Sequence, residues 1–192
     1  MKDFALDLFS FYKKELQGIN LIGFKNFEDF YQTQFMDIID LIKSYKDFIH
    51  HDILVDMGCG GGFPLIPLIK IFPQKKFSGI DSKKKKIKAL KTICEKFNLD
   101  AQLFDNRFEE IEFNKSATLF FKAIDKIDNI IPLLNISQPC DLIFFKGKEE
   151  IHNIKSLEHK YISCNIEKRI YIIRNFTSMV VKKNLVSFKD FF

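Results

Sequence analysis

The sequence has no Trp, and its four Cys (Cys59, Cys94, Cys140, Cys164) lie far apart with no C-x-x-C pair. That spacing argues against a disulfide framework or a cysteine zinc module and fits a reducing cytoplasm. No apolar stretch approaches the ~18 residues of a membrane span, because Lys, Asp or Asn interrupts each one. The opening residues, MKDFALDLFSFYKKE, lack an apolar h-region and a small-residue cleavage site, so no secretory leader is expected. The four His (His50, His51, His152, His159) show no ligand spacing and read as surface residues, so no metal is expected. Glycine and proline are scarce, 8 and 5 residues, and they cluster rather than form a linker or a repeat.

What remains is enough for one ordinary domain with a small attachment: 192 residues, 46% apolar and 29% charged. Twenty-three Phe make the core aromatic-rich. The formal charge is +5, carried almost wholly by Lys, which suits diffuse phosphate contacts better than bidentate base readout.

Residues 1–50 read as a helical extension. Phe4, Leu8, Phe11 and Tyr12 fall at helical spacing, and the segment stops near Gly18. A second helix is expected from Asn26 to Ser44, with Asn26 as N-cap and Asp29 at the third position of a weak capping box. From residue 52 the pattern changes. Strands are expected at Asp52–Asp56, Phe77–Asp81, Ala101–Phe104, Ala117–Lys122 and Asp141–Lys146. Helices are expected at Pro64–Phe72, Ser82–Phe97, and near 126–135 and 148–159. Tyr161–Ile166 and Arg169–Arg174, split by Glu167 and Lys168, read as an antiparallel hairpin. Strands alternating with helices imply an open, mostly parallel α/β sheet with right-handed crossovers over residues 51–176. In the tail, 177–192, Val180, Val181, Leu185 and Val186 suit either an added strand or a cover for the sheet.

The sharpest signal is Asp56-Met57-Gly58-Cys59-Gly60-Gly61-Gly62-Phe63-Pro64. Glycines placed directly after a strand let a ligand approach the backbone, at the carboxyl end where open α/β sheets bind. A dinucleotide loop requires a third glycine where Phe63 stands, and no G-K-[S/T] follows for a phosphate loop. The remaining pattern, D-x-G-x-G-x-G, resembles motif I of S-adenosylmethionine-dependent methyltransferases. Asp81, ending the second strand, is placed to accept both hydrogen bonds of a ribose diol. Gly58, Gly60, Gly62, Phe63 and Asp81 are therefore candidate cofactor residues.

The chain also resembles a particular family, the ribosomal RNA small subunit methyltransferase G family, also called glucose-inhibited division protein B. The resemblance covers roughly residues 16–175. It rests on Asn20-Leu21, Gln34-Phe35-Met36-Asp37, Gly58 through Pro67, Ile80-Asp81-Ser82, Lys85-Lys86, Arg107-Phe108-Glu109-Glu110, Phe121-Lys122-Ala123 and Phe145-Lys146-Gly147. Departures are Gln34 for the family His, Ile38 for a Ser, Leu65 for a small residue, Ala117 for an acid, and Lys122 for an Arg. The resemblance implies a Rossmann-like methyltransferase fold with seven strands in the order 3-2-1-4-5-7-6. It implies S-adenosylmethionine as cofactor, held also by Phe108, Glu109 and Lys122. The implied reaction is methylation of guanine N7 at position 527 of 16S ribosomal RNA, in a cytoplasmic monomer.

That chemistry asks little of the side chains. Guanine N7 already carries a free lone pair, so no general base is needed and no catalytic residue is named; orientation can supply much of the rate. Holding RNA asks for cations on the cofactor rim. Lys83, Lys84, Lys85 and Lys86 open the second α/β helix, where they oppose its dipole, and Arg107, Lys122 and Lys146 follow other strand ends. Three alternatives stand beside this reading: a nucleotide-dependent oxidoreductase, a small-molecule methyltransferase, and a non-catalytic RNA-binding or ribosome assembly protein on the same fold.

Overall fold

A computed structural model of the chain describes residues 1–16, 18–19, 21–45, 49–146, 159–163, 169–178 and 185–188. Seven strands form the main sheet: β1 Ile53–Met57, β2 Lys76–Ile80, β3 Gln102–Phe104, β4 Thr118–Lys122, β5 Cys140–Lys146, β6 His159–Ser163 and β7 Arg169–Phe176. Their order is β3-β2-β1-β4-β5-β7-β6. The first five pair in parallel, and β7 runs antiparallel between β5 and β6. This is the order that the resemblance implied, and each strand begins or ends within a few residues of its expected bounds. Ser163 stands opposite Arg169. The expected hairpin residues Glu167 and Lys168 lie outside the described residues, as does most of the expected helix at 148–159.

Alternation along each strand sorts the core onto two faces. Leu54, Phe120, Ile143, Phe145, Ile170 and Ile172 share one apolar cluster with the helices α1 Lys2–Glu15, α2 Phe27–Tyr31, α3 Asp37–Tyr45, α4 Leu65–Ile71 and α5 Lys84–Phe97. Val55, Met57, Leu119, Phe121, Leu142, Phe144 and Ile173 turn to the opposite face, where the segment 111–136 packs. The N-terminal helices therefore bury their apolar stripe in the same cluster as α4 and α5.

The second predicted helix is interrupted. Asn26 caps α2 as expected: its side chain accepts from the Asp29 amide at 2.9 Å and donates to the Asp29 carboxylate at 2.8 Å. Between α2 and α3, however, Gln32–Met36 form a π-helical turn. A widened turn brings residues five apart onto one face. Phe30 and Phe35 are both fully buried, with ring centroids 5.8 Å apart.

In the tail, the described residues 185–188 both add a strand and cover the core, while Val180 and Val181 lie outside the described residues. Val186–Ser187 pairs in parallel with Ile111–Phe113, which pairs with Asn135–Ile136, making a small second sheet. Phe188 is buried against Phe113 at 5.0 Å between centroids.

Candidate active site

The glycine loop leaves β1 and bends back over the end of β2. The amides of Gly58 and Cys59 both donate to the Ile80 carbonyl, at 2.7 and 2.9 Å. Gly58, Gly60 and Gly62 have positive φ, a backbone that side chains rarely adopt. Asp81 follows β2 and is held from two sides. Its Oδ2 accepts from the Gly60 amide at 3.0 Å, and its Oδ1 accepts from the Lys83 amide at 2.8 Å. An ionised carboxylate offers about four lone-pair directions, so each oxygen keeps one for a further donor.

Beside Asp81 opens a cavity of about 390 Å³, within the range of small-ligand clefts. Gly58 and Asp81 form one wall, Phe108 and Glu109 another, and Ala123, Ile124 and Asp125 a third. Lys83, Lys86 and Arg107 stand on its rim. Four of the expected cofactor residues thus meet in one place, together with three of the expected RNA contacts. Glu109 is fixed through Arg107, 3.2 Å from its carboxylate, and through Asn135, which donates to its carbonyl at 3.0 Å.

The other expected residues stand elsewhere. Gly62 is buried and faces Ile66 and Leu90 rather than the cavity. Phe63 is buried among Tyr12, Phe30 and Phe35. Lys122 turns to the N-terminal helices: its ammonium lies 3.3 Å from the Asp37 carboxylate and donates to the Thr33 carbonyl in the π turn at 2.5 Å. Lys146 donates to the carbonyls of Ile124 (2.8 Å) and Asp125. Lys84 is exposed, 3.5 Å from Asp105, and Lys85 is exposed.

Sequence reasoning missed Asn106, Ile124, Asp125 and Leu133, which complete the cavity from the loops after β3 and β4 and from the segment before the small sheet. Nothing in their spacing marks them; only the strand order brings those loops together. It also misplaced one histidine. His50 is exposed as expected, but His51 is partly buried, and both approach Oδ2 of the fully buried Asp141, at 3.5 and 3.9 Å. The Arg174 guanidinium lies 2.8 Å from that same oxygen and supplies the positive charge it needs. The trio stands at the opposite end of the strands from the cavity.

Three cysteines are described and all are buried. Burial pushes the Cys59 thiol well above its ordinary range, the Cys94 thiol to about 11 and the Cys140 thiol to about 12. None of these three is a thiolate near neutral pH, so none is an activated nucleophile.

Asp56, the first acid of the loop motif, has a different task from Asp81. It is fully buried, and its Oδ2 accepts from the Leu65 amide at the start of α4, at 3.1 Å. Its Oδ1 has no hydrogen-bond partner. Burial pushes its pKa up to about 7, against the opposing effect of the Leu65 hydrogen bond. A carboxyl group with a folded pKa above its unfolded value favours folding when protonated. That contribution is complete below pH ~4 and is lost as pH rises through about 7. Asp56→Asn is therefore expected to flatten stability against pH between about 4 and 7, by a few kcal/mol at roughly 1.4 kcal/mol per unit. Urea midpoints across that range test this; parallel curves for the two proteins would refute it.

The family described as rRNA small subunit methyltransferase G matches residues 6–179. A ribosomal RNA small subunit methyltransferase G from Brachyspira hyodysenteriae is 32% identical over 161 residues, covering 82% of this chain and 74% of that protein. The protein of the same name from Mesoplasma florum is 33% identical over 169 residues, covering 83% and 70%. Among solved structures, an S-adenosylmethionine-dependent methyltransferase from Aquifex aeolicus superposes with a TM-score of 0.55 at 12% identity, covering 78% of this chain and 98% of that one. The plantazolicin methyltransferase BpumL, solved with S-adenosylhomocysteine, gives 0.53 at 14% identity, covering 91% and 95%. At such identities the two structures speak for the fold alone.

Proposed function

The chain belongs to the rRNA small subunit methyltransferase G family, and from that premise we propose that it uses S-adenosylmethionine to methylate guanine N7 at position 527 of 16S ribosomal RNA. The observation that carries the cofactor reading is the hydrogen bond from the Leu65 amide to the buried Asp56. In a dinucleotide site the first helix after the glycine loop turns its free amides to a pyrophosphate. Here the Asp56 carboxyl group already accepts from the first amide of that helix, so this amide is not free for a pyrophosphate. A nucleoside cofactor without phosphate fits; a nicotinamide dinucleotide does not.

The residues present suit such a group. Asp81 keeps acceptor capacity for a ribose diol, and the Phe108 ring with the Phe108–Glu109 backbone offers a flat, partly apolar wall for a base. When bound, S-adenosylmethionine supplies an electrophilic methyl group on a sulfonium. The protein's work is then to bind, orient and exclude water, because N7 needs no proton removed before it reacts. Lys122 stands at the end of β4, tied to Asp37, and Lys146 braces the loop containing Ile124 and Asp125. In this reading both shape the wall of the cavity.

The rim residues Lys83, Lys86 and Arg107, with the exposed Lys84 and Lys85 beside them, receive the RNA backbone. Lys84→Ala with Lys85→Ala is expected to weaken RNA binding while cofactor affinity stays within twofold. Two fewer phosphate contacts lower the slope of log affinity against log salt by about 1.4–1.8. Filter binding at several salt concentrations reads this directly, and an unchanged slope would remove the rim from the RNA path.

None of the described helices is long and apolar enough to cross a membrane. We take the enzyme as a cytoplasmic monomer, with residues 51–176 as the methyltransferase unit and 16S RNA or a small-subunit precursor as partner. Mass spectrometry of 16S RNA digests from cells with and without this gene tests the reaction. One 7-methylguanosine, in the fragment holding position 527, should vanish with the gene. An unchanged fragment would refute the assignment.

A further inference from the structure

The N-terminal helices reach the glycine loop at Gly61. The Tyr12 hydroxyl, on α1, donates to the Gly61 carbonyl. The other end of the same peptide unit is held too: the Gly62 amide donates to the Cys59 carbonyl at 2.6 Å. A peptide unit is planar, so fixing its carbonyl and its N–H together stops it from turning over. The approach is close all along this side. A methyl group on Gly61 would lie 2.7 Å from the Leu21 carbonyl oxygen, and the Tyr12 and Phe63 rings have centroids 6.1 Å apart. Tyr12 is 3% exposed, so no solvent competes for its hydroxyl.

What this peptide unit controls is the turn Cys59–Gly62, and that turn aims the Gly60 amide at Asp81. We infer that Tyr12 is a positioning residue for the cofactor: by holding the Gly61 carbonyl it keeps the loop in the form that directs Asp81 toward the ribose. The helical extension thereby completes the cofactor site from behind, without touching the ligand. The inference rests on the cofactor reading above and adds a residue that the loop motif does not contain.

Tyr12→Phe removes one oxygen and keeps the ring in the aromatic cluster. With the full-length variant, the Kd and KM for S-adenosylmethionine should rise on the order of tenfold, the worth of one hydrogen bond. kcat at saturating cofactor and RNA affinity should stay within twofold. Without cofactor, hydrogen exchange at the Gly60 and Gly62 amides should speed up about tenfold while the strand amides stay protected. Unchanged affinity together with unchanged loop exchange would overturn the inference. So would a uniform loss of protection, which would make Tyr12 a general core residue. If the wild-type protein fails to bind S-adenosylmethionine, the cofactor reading falls, and the exchange experiment still decides whether Tyr12 holds the loop.

Discussion

Asp81→Ala is expected to weaken S-adenosylmethionine binding about 100-fold, the largest cofactor effect of any single substitution at the site. The carboxylate would lose two hydrogen bonds to the ribose, at roughly 1.5 kcal/mol each for bonds to a charged group. It would also release the Gly60 and Lys83 amides that now converge on it. Asp81→Asn keeps one acceptor and should fall between, at about tenfold. Calorimetric titration reads both values. Because Asp81 is only half-buried, thermal stability should change little, and that separates a binding effect from a folding one. An Asp81→Ala protein that binds within threefold of wild type would show that the acid does not grip the sugar.

The second large effect concerns stability. Gly62→Ala should cost about 3–4 kcal/mol and lower the melting temperature by about 10 °C. Two terms add. Gly62 has φ +87°, where a side chain is strained by roughly 1–2 kcal/mol. A methyl group there would also meet Ile66 at 2.6 Å and Leu90 at 2.8 Å, and overpacking of this kind costs typically 1–3 kcal/mol. Both neighbours are buried in the layer that α4 and α5 share with the N-terminal helices, so neither can move aside freely. A melting temperature within 3 °C of wild type would show that the loop can adopt another path. The same glycine thus belongs to the ligand motif and to the packing of α4 and α5, and the two roles separate experimentally: Gly62 acts through stability, Asp81 through affinity.

Much of this fold was legible in the sequence. Short β-branched runs bounded by helices at regular spacing marked the parallel strands, and the glycine cluster fixed where the chain must turn at the carboxyl end of the first. The Asn26 cap was readable because capping is local, a bond between residues three apart. The small sheet was not readable. Its strands are only two or three residues long and are drawn from 111–113, 135–136 and 186–187, too short for any periodicity and too far apart for a turn signal. The π turn was hidden for another reason: a run such as Phe30, Tyr31, Gln34 and Phe35 satisfies the ordinary helical stripe, and only burial of Phe30 together with Phe35 reveals the extra residue.

The site divides in the same way. Gly58, Asp81, Phe108 and Glu109 carry a motif, and the structure brings them to one cavity. Lys122, read as a cofactor contact, pairs with Asp37 across a span of the chain that no local pattern connects. Asp141 opens the strand expected at Asp141–Lys146, and nothing local marks that it is fully buried with His50, His51 and Arg174 around it. Tyr12 was read as part of an apolar stripe, which it is; its hydroxyl gains a purpose only once Gly61 lies beside it.

The most direct test of the whole account is a crystal structure of the protein with S-adenosylhomocysteine. The account predicts the nucleoside in the cleft between Asp81 and Phe108, with both ribose hydroxyls within hydrogen-bonding distance of the Asp81 carboxylate. A ligand bound elsewhere, or an Asp81 carboxylate turned away from the sugar, would contradict it.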